Sequence, residues 1–378
     1  MREVVICGYA RSPFTQATKG ALASVRPDDL MAQVIRGLLE RTGVDPNDLE
    51  DFILGCAFPE GEQGLNMARL AAFNADLPLT VAGATVNRFC GSSMYAIHMA
   101  AGAIQMNAGE AFLCGGVESM SRVPMMGFNP MPHPGLYKRF PASYISMGET
   151  AENVAQKYQI SRAEQEGFAV QSHIKAARAD EQSAFKEEII PITSEDGMVV
   201  KDGCIRPDTN LEGLAALKPA FERTGTVTAG TSSPLTDGAS ITLVCSKDYA
   251  ITNGLTILAR IRGIAIAGCA PEIMGIGPVP ATRKALERAA LKVEDIDIAE
   301  VNEAFSSQAL ACLGDLGLSQ EKVNLHGGAI AIGHPLGATG ARITGKAASL
   351  LARGGGQIAL ATQCIGGGQG IATILEAA

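Results

Sequence analysis

The sequence predicts an α/β protein with a mainly parallel, helix-covered sheet, built as two similar halves with a long insertion between them. Three observations predict this. Short apolar, β-rich runs alternate with longer stretches of helical periodicity; a segment beginning at Leu39 recurs at Leu286; and one Pro-, Met- and Gly-rich excursion interrupts the pattern.

The alternation is read from spacing. Val4–Ile6, Phe52–Leu54, Ala111–Leu113, Ile241–Val244, Ile298–Val301 and Ile358–Ala361 read as strands. Leu30–Arg41, Ser93–Asn107, Thr282–Ala290 and Ala341–Arg353 carry apolar residues three and four apart and read as helices. Strands and helices in turn imply a sheet with helices on its faces.

The recurrence aligns without gaps. Leu39-Glu-Arg falls on Leu286-Glu-Arg, Asp48 on Asp295 and Ala57-Phe58 on Ala304-Phe305, at an offset of 247 residues. A Val-Asn pair recurs at Val86-Asn87 and Val323-Asn324, each followed closely by glycine. The expected division is an N-terminal half over 1–118, an inserted loop region over 119–228, a returning strand within 229–250 and a C-terminal half over 251–378. The insertion starts with the Pro-, Met- and Gly-rich stretch Met120 to Met147, and runs through a charged helical stretch at Ala151–Gln182 into the polar segment Pro191–Asp208. Excursions of this length inside compact domains usually serve as lids or binding loops.

Composition narrows the function. A chain of 378 residues, 47% of them hydrophobic, can bury two ordinary cores. The net charge is −8, and no run of Lys and Arg exceeds two, which argues against a nucleic-acid partner. An anionic ligand would need a local basic patch. No apolar stretch reaches the length of a membrane span. Met1 to Gly8 reads as a first strand rather than a signal peptide, and Ile374 to Ala378 carries no peroxisomal or ER address. Nine cysteines without a Cys-x-x-Cys pair argue against zinc and against a disulfide framework. Reduced thiols in a bacterial-like cytoplasm fit this usage, as would a processed mitochondrial form.

Chemistry is concentrated at three glycine-flanked positions. Thr85 to Cys90 reads as a strand entering a sharp turn, and Gly91-Ser-Ser opens a helix. Cys90 would then sit at a helix N-terminus, where thiolate is favoured, in the manner of a nucleophile elbow. A core cysteine before a buried helix is the competing reading. His334, between Gly333 and Pro335, suits proton removal from a thiol; a backbone-bonded loop histidine would look the same. Cys364 follows a strand and precedes Gly366-Gly367-Gly368, a turn whose N–H groups could face an oxyanion. Asn302, at the end of a strand, either faces a ligand crevice or caps a helix. Of the other histidines, His98 is expected to be packed, His133 in a loop and His173 on an exposed helix face, while His326 directly precedes Gly327-Gly328. No glycine loop has the form of a nucleotide phosphate site.

Together these segments resemble the thiolase family over essentially the whole chain. Asn87-Arg-Phe-Cys90-Gly-Ser-Ser resembles its acyl-accepting motif, and Asn302-Glu-Ala-Phe305, Gly327 to Gly340 and Cys364-Ile-Gly-Gly-Gly correspond to three further signatures in the right order. The resemblance implies a layered α/β/α/β/α core of duplicated halves. It implies that Cys90 is acylated, that His334 activates Cys90 and then the coenzyme A thiol, and that Cys364 moves the proton at the substrate α-carbon. It implies one oxyanion site from His334 and a water held by Asn302, and another from the N–H groups of Cys90 and Gly366. Ser233 matches a position that contacts the pantetheine arm.

Glu62 to Arg69, Cys90 to Met94, Gly225 to Ser233 and Gly368 to Thr373 look like the degradative 3-ketoacyl-CoA branch. Ser146 stands where many biosynthetic acetoacetyl-CoA thiolases carry His, and His326 where relatives commonly carry Asn. Met120, Met125, Met126 and Met131 could line an acyl or pantetheine channel or merely pack. The resemblance implies coenzyme A and acyl-CoA as substrates, no tightly bound cofactor, no metal, a homodimer or dimer of dimers, and a hydratase/dehydrogenase subunit as candidate partner. Two other readings use the same fold. A decarboxylating or HMG-type condensing enzyme usually has His in place of Cys364. A silent acyl-CoA-binding subunit would not need all the motif residues.

Overall fold

The structure, a computed structural model, describes residues 2–378. The first half runs β1 (Val4–Arg11), α1 (Pro27–Thr42), β2 (Leu49–Gly55), α2 (Met67–Asn74), β3 (Ala82–Val86), α3 (Ser92–Gln105) and β4 (Ala111–Ser119). The two longer helices of the insertion follow, α4 (Met147–Lys157) and α5 (Arg162–Glu181), before the chain returns as β5 (Thr236–Ser246). The second half runs β6 (Ala259–Gly268), α6 (Pro278–Ala289), β7 (Ile298–Val301), α7 (Ser306–Leu316), α8 (Thr339–Ala352), β8 (Ile358–Ile365) and β9 (Gln369–Glu376).

Local signals set several boundaries. α1 starts at Pro27, three residues before its apolar periodicity, because proline's fixed φ suits the first helical position. It stops at Gly43, whose φ of +67° provides the left-handed cap. α4 and α5 each open on a capping box, Ser146 with Glu149 and Ser161 with Glu164.

The duplication is carried through the whole architecture. One large sheet has the order β7-β8-β9-β6-β1-β5-β4-β2-β3, with Thr15–Gln16 as a short extra strand on β5. Read inward from either end, the two halves repeat one order: β3-β2-β4-β5-β1 and β7-β8-β9-β6. The place of β3 is taken in the second half by a single parallel bridge from Ala299 to Val323. The 247-residue offset carries the start of α3 onto α8 and the start of β4 onto β8. The halves meet where β1 and β6 pair antiparallel, Val5 opposite Arg260 and Ile6 opposite Ala259.

The sheet is mixed rather than mainly parallel. Only β2–β3, β2–β4 and β7–β8 are parallel. Alternation of elements does not encode strand direction. β5 returns from the insertion antiparallel into the slot between β1 and β4. β8 and β9 form a hairpin across Gly366–Gly368, with Gly367 and Gly368 at φ +78° and +81°, and so tight a turn joins only antiparallel strands.

α3 and α8 pack on each other so closely that a side chain at Gly340 would strike the Met94 backbone. Ile6, Met94, Ile298, Ile343, Ala347 and Ile371 share one buried apolar cluster, which joins strands and central helices from both halves. The two helices begin side by side: Ser93 Oγ accepts from the Ala341 N–H at 2.8 Å. Whatever stands at one N-terminus therefore faces whatever stands at the other.

Candidate active site

Cys90 is set by a strained elbow. Phe89 has φ +43°, unusual for an aromatic residue, so the chain turns sharply between β3 and α3. Local hydrogen bonds hold the turn. Asn87 Oδ1 accepts from the Phe89 N–H at 2.8 Å, and Ser92 Oγ accepts from Arg88 N–H at 2.8 Å while donating to the Phe89 carbonyl at 2.6 Å. Asn87 Nδ2 anchors the elbow to the Ala57 carbonyl at 2.9 Å.

The second half supplies the facing wall. A side chain at Gly91 would run into Ile365, so this glycine is required by the close approach of β8. Gln363 Nε2 donates to the Cys90 carbonyl. The N–H groups of Gly366 and of Cys90 itself lie near enough to the Cys90 sulfur to favour its anion. Cys364 lies inside β8, fully buried, rather than in the turn; the turn N–H that faces the site is that of Gly366.

The electrostatics differ from the expected thiolate. Burial pushes the Cys90 thiol up to about 12, against the pull of the Gly366 N–H, and buried Glu118 adds to the rise. A helix N-terminus stabilises an anion, but withdrawal from water outweighs it here. Cys364 is driven well above the ordinary thiol range by burial and then by neighbouring Cys90. Both thiols are protonated at neutral pH, and a negative charge on Cys90 would raise Cys364 further.

His334 stands between two side chains. Its Nδ1 is 2.6 Å from Thr339 Oγ1, and that hydroxyl donates to the Pro335 carbonyl at 3.0 Å. With its only hydrogen so committed, the hydroxyl accepts from Nδ1–H, which leaves Nε2 as the bare nitrogen. Asn302 Nδ2 approaches Nε2 at 3.4 Å. Burial, helped by Arg342, lowers the imidazole to about 3, so it is a neutral base at physiological pH. Asn302 is not a helix cap: α7 begins after Phe305, and the buried Asn302 Oδ1 has no protein partner among the described residues. The Asn302 N–H bonds the Thr362 carbonyl at 3.0 Å, which seats the His334 pair beside the strand that carries Cys364.

Ser233 lies at the edge of this arrangement, its hydroxyl donating to the Ala304 carbonyl at 3.1 Å. Ser146 caps α4 and so positions Met147, which approaches Gly366. His326 is elsewhere, edge-on to Phe185 in the neighbourhood of Glu188 and Lys346, and burial lowers it to about 4. His173 is buried rather than exposed, because the chain near Arg206 folds over α5 and the Arg206 N–H bonds Nδ1 at 3.2 Å. His98 is packed, with Nε2 2.8 Å from Thr373 Oγ1. Met120 is buried and its sulfur accepts from the Thr236 N–H at 3.5 Å, whereas Met125, Met126 and Met131 are exposed. A cavity of about 310 Å³ lined by Tyr9, Arg41, Glu188 and Arg353 includes none of the site residues.

Sequence reasoning missed Glu118, Thr339 and Gln363. Glu118 accepts from the Ala57 and Gly337 N–H groups, each at 2.8 Å, and so ties the His334 loop to the end of β2. Its place at the carboxyl end of β4 was the available signal. Thr339 and Gln363 act on His334 and Cys90 from motifs whose neighbours drew attention first.

A half-buried thiol at an elbow, a second thiol beside it, backbone donors near the sulfur and a neutral imidazole define a thiol-dependent acyl-transfer enzyme. Family models for the thiolase N-terminal domain and the thiolase C-terminal domain match residues 4–248 and 255–377. The chain is 48% identical to a 3-ketoacyl-CoA thiolase of Aliivibrio fischeri and 45% identical to one of Bacillus subtilis, with full coverage of both chains in each case. The crystal structure of human mitochondrial 3-ketoacyl-CoA thiolase superposes with a TM-score of 0.92 at 37% identity, covering 100% of this chain and 99% of that one. The Bacillus anthracis acetyl-CoA acetyltransferase superposes equally well, at 41% identity and the same coverage. The chain belongs to the thiolase family, has the thiolase fold and is an acyltransferase.

Proposed function

We propose that this protein is a 3-ketoacyl-CoA thiolase, which cleaves 3-ketoacyl-CoA with coenzyme A to acetyl-CoA and a shortened acyl-CoA in fatty-acid β-oxidation. The observation that carries it is that Cys90 lies near Cys364 and Gly366, while Asn302, which approaches the His334 imidazole, bonds Thr362 on the strand that carries Cys364.

Each group has a task that its surroundings suit. Cys90 sulfur attacks the C3 carbonyl while its proton passes to His334 Nε2. Because thiol and imidazole are far apart in proton affinity before substrate arrives, the proton moves as the C–S bond forms. The C3 oxyanion lies next to the sulfur, where the N–H groups of Cys90 and Gly366 converge. Its collapse breaks the C2–C3 bond and sends the electron pair to C2. The thioester oxygen of the departing enolate faces His334 and Asn302, whose buried Oδ1 is suited to orient a water toward it. Cys364, kept protonated by burial, gives its proton to C2, and acetyl-CoA leaves. His334 returns its proton to the Cys364 thiolate. Coenzyme A then attacks the acyl-Cys90 thioester, its thiol proton passing through His334 back to Cys90. Coenzyme A is thus a substrate, and no resident cofactor enters the sequence.

The relatives named 3-ketoacyl-CoA thiolase support the degradative reading, and the acetyl-CoA acetyltransferase structure marks acetoacetyl-CoA thiolase as the alternative. Thiolysis rates over a series of 3-ketoacyl-CoA chain lengths separate them. Chains longer than four carbons are expected to react with the higher kcat/KM; strict four-carbon selectivity would establish the alternative.

A homodimer is part of the same proposal. β3 is a half-exposed edge strand, and exposed Leu65, Phe73 and Leu79 lie on its approaches. An unblocked edge beside apolar side chains suits a second copy of the chain. Light scattering should give about twice the 39.3 kDa of one chain, and a monomeric mass would refute the dimer. Dependence on two unlinked thiols supports a reducing compartment, in keeping with the cytoplasmic reading and with a processed mitochondrial form alike. No described helix is long and apolar enough to cross a membrane. A 3-ketoacyl-CoA substrate is the product of a 3-hydroxyacyl-CoA dehydrogenase, which keeps a hydratase/dehydrogenase subunit as the candidate partner.

A further inference from the structure

β7 and α8 come together behind the imidazole. Glu300 and Asn302 are two residues apart on and just past β7, which turns both side chains to one side. Thr339 and Arg342, three residues apart in the first turn of α8, share one face of that helix. Asn302 and Thr339 lie against the two nitrogens of the His334 ring. Glu300 and Arg342 touch each other: Arg342 Nη1 donates to Glu300 Oε2 at 2.7 Å, with the two side chains 0% and 2% exposed.

We infer that the Glu300–Arg342 ion pair is a positioning device, holding the segment that carries Asn302 and the helix that carries Thr339 at the spacing the His334 imidazole requires. It rests on His334 being the base proposed above. Stability alone is a poor reason for this pair. Buried ion pairs are often replaceable by uncharged side chains at little or no loss of stability. This one also leaves Glu300 Oε1 and Arg342 Nε and Nη2 without protein partners among the described residues. A buried guanidinium against a carboxyl that burial raises to about 7, with three unpaired polar atoms, is a costly way to join a helix to a strand, but it defines a direction and a distance that apolar contact would not. Arg342 acts on the imidazole as well, favouring its neutral form.

The test is the double variant Glu300→Gln/Arg342→Met, which keeps side-chain size and removes both charges. The folded variant is expected to lose about 10- to 100-fold in kcat for thiolysis, the scale of a sub-ångström to ångström misplacement. KM for coenzyme A should stay within about twofold, and alkylation of Cys90 by iodoacetamide should slow in parallel with kcat. Wild-type kcat in the folded double variant overturns the inference, as does a loss confined to KM. Should the double variant not fold, Glu300→Asp shortens the link by one methylene and keeps the charge; it should show the same kcat-only loss, and an unchanged kcat overturns the inference equally. His334→Asn is measured alongside. Full activity there removes the base assignment itself, whereas a slow His334→Asn beside a fully active double variant removes only the role of the ion pair.

Discussion

Cys90→Ala leaves a folded protein in which thiolysis falls on the order of 10⁵-fold or more, the scale expected when a covalent nucleophile is removed. The fold should tolerate the change, because the elbow is held by Asn87, Ser92 and backbone groups and not by the sulfur. Loss of activity alone would not distinguish a damaged site from a missing nucleophile, so the decisive measurement is intact-protein mass. The wild-type chain incubated with 3-ketoacyl-CoA and no coenzyme A gains one acyl group; Cys90→Ala gains none. An adduct that persists in Cys90→Ala, or a wild-type chain that binds substrate without any mass gain, would falsify acylation at this residue.

His334→Asn is expected to lower kcat about 10²- to 10⁴-fold, the range for loss of a positioned general base, with a smaller change in KM for coenzyme A. Its pH dependence follows from burial. The imidazole is lowered to about 3, so the base form of His334 persists throughout the neutral and mildly acidic range. Stability, by contrast, does depend on pH across this range. A histidine with a depressed folded value binds fewer protons folded than unfolded between about 3 and 6.5, so stability declines as pH falls through that window. His98, His173 and His326 are depressed in the same direction and deepen the decline. Acid inactivation of the wild-type protein should therefore track unfolding, followed by circular dichroism beside kcat from pH 8 to pH 5. A kinetic titration near 6.5 in protein that is still folded would show that the imidazole is not held neutral by burial.

The duplication was legible because it is written twice in one linear pattern: Leu39-Glu-Arg and Leu286-Glu-Arg end α1 and α6, and the same offset relates helix and strand starts further along. The approach of Cys90 and Cys364 to close glycines was legible for a similar reason. Only a glycine at position 91 admits Ile365, and only glycines at 367 and 368 make the hairpin turn. Strand direction was not legible, since a run such as Thr236–Ser246 has the same composition whichever way it enters the sheet. Exposure of His173 was misjudged because the covering chain near Arg206 lies more than thirty residues away in sequence.

By itself the sequence determined the α/β class, and it pointed to two halves and to Cys90, His334 and Cys364 as the candidate residues, because periodicity, repetition and glycine spacing are local properties of the chain. Only the tertiary structure decided the protonation states. Cys90 looks like a thiolate at a helix start, but burial between the two halves holds it as a thiol, and burial holds His334 neutral. The pairing of Glu300 with Arg342, and of Asn302 and Thr339 with one imidazole, likewise exists only after β7 and α8 are packed. Solvation and long-range contact depend on what surrounds a group in space, and that is a property no single segment carries.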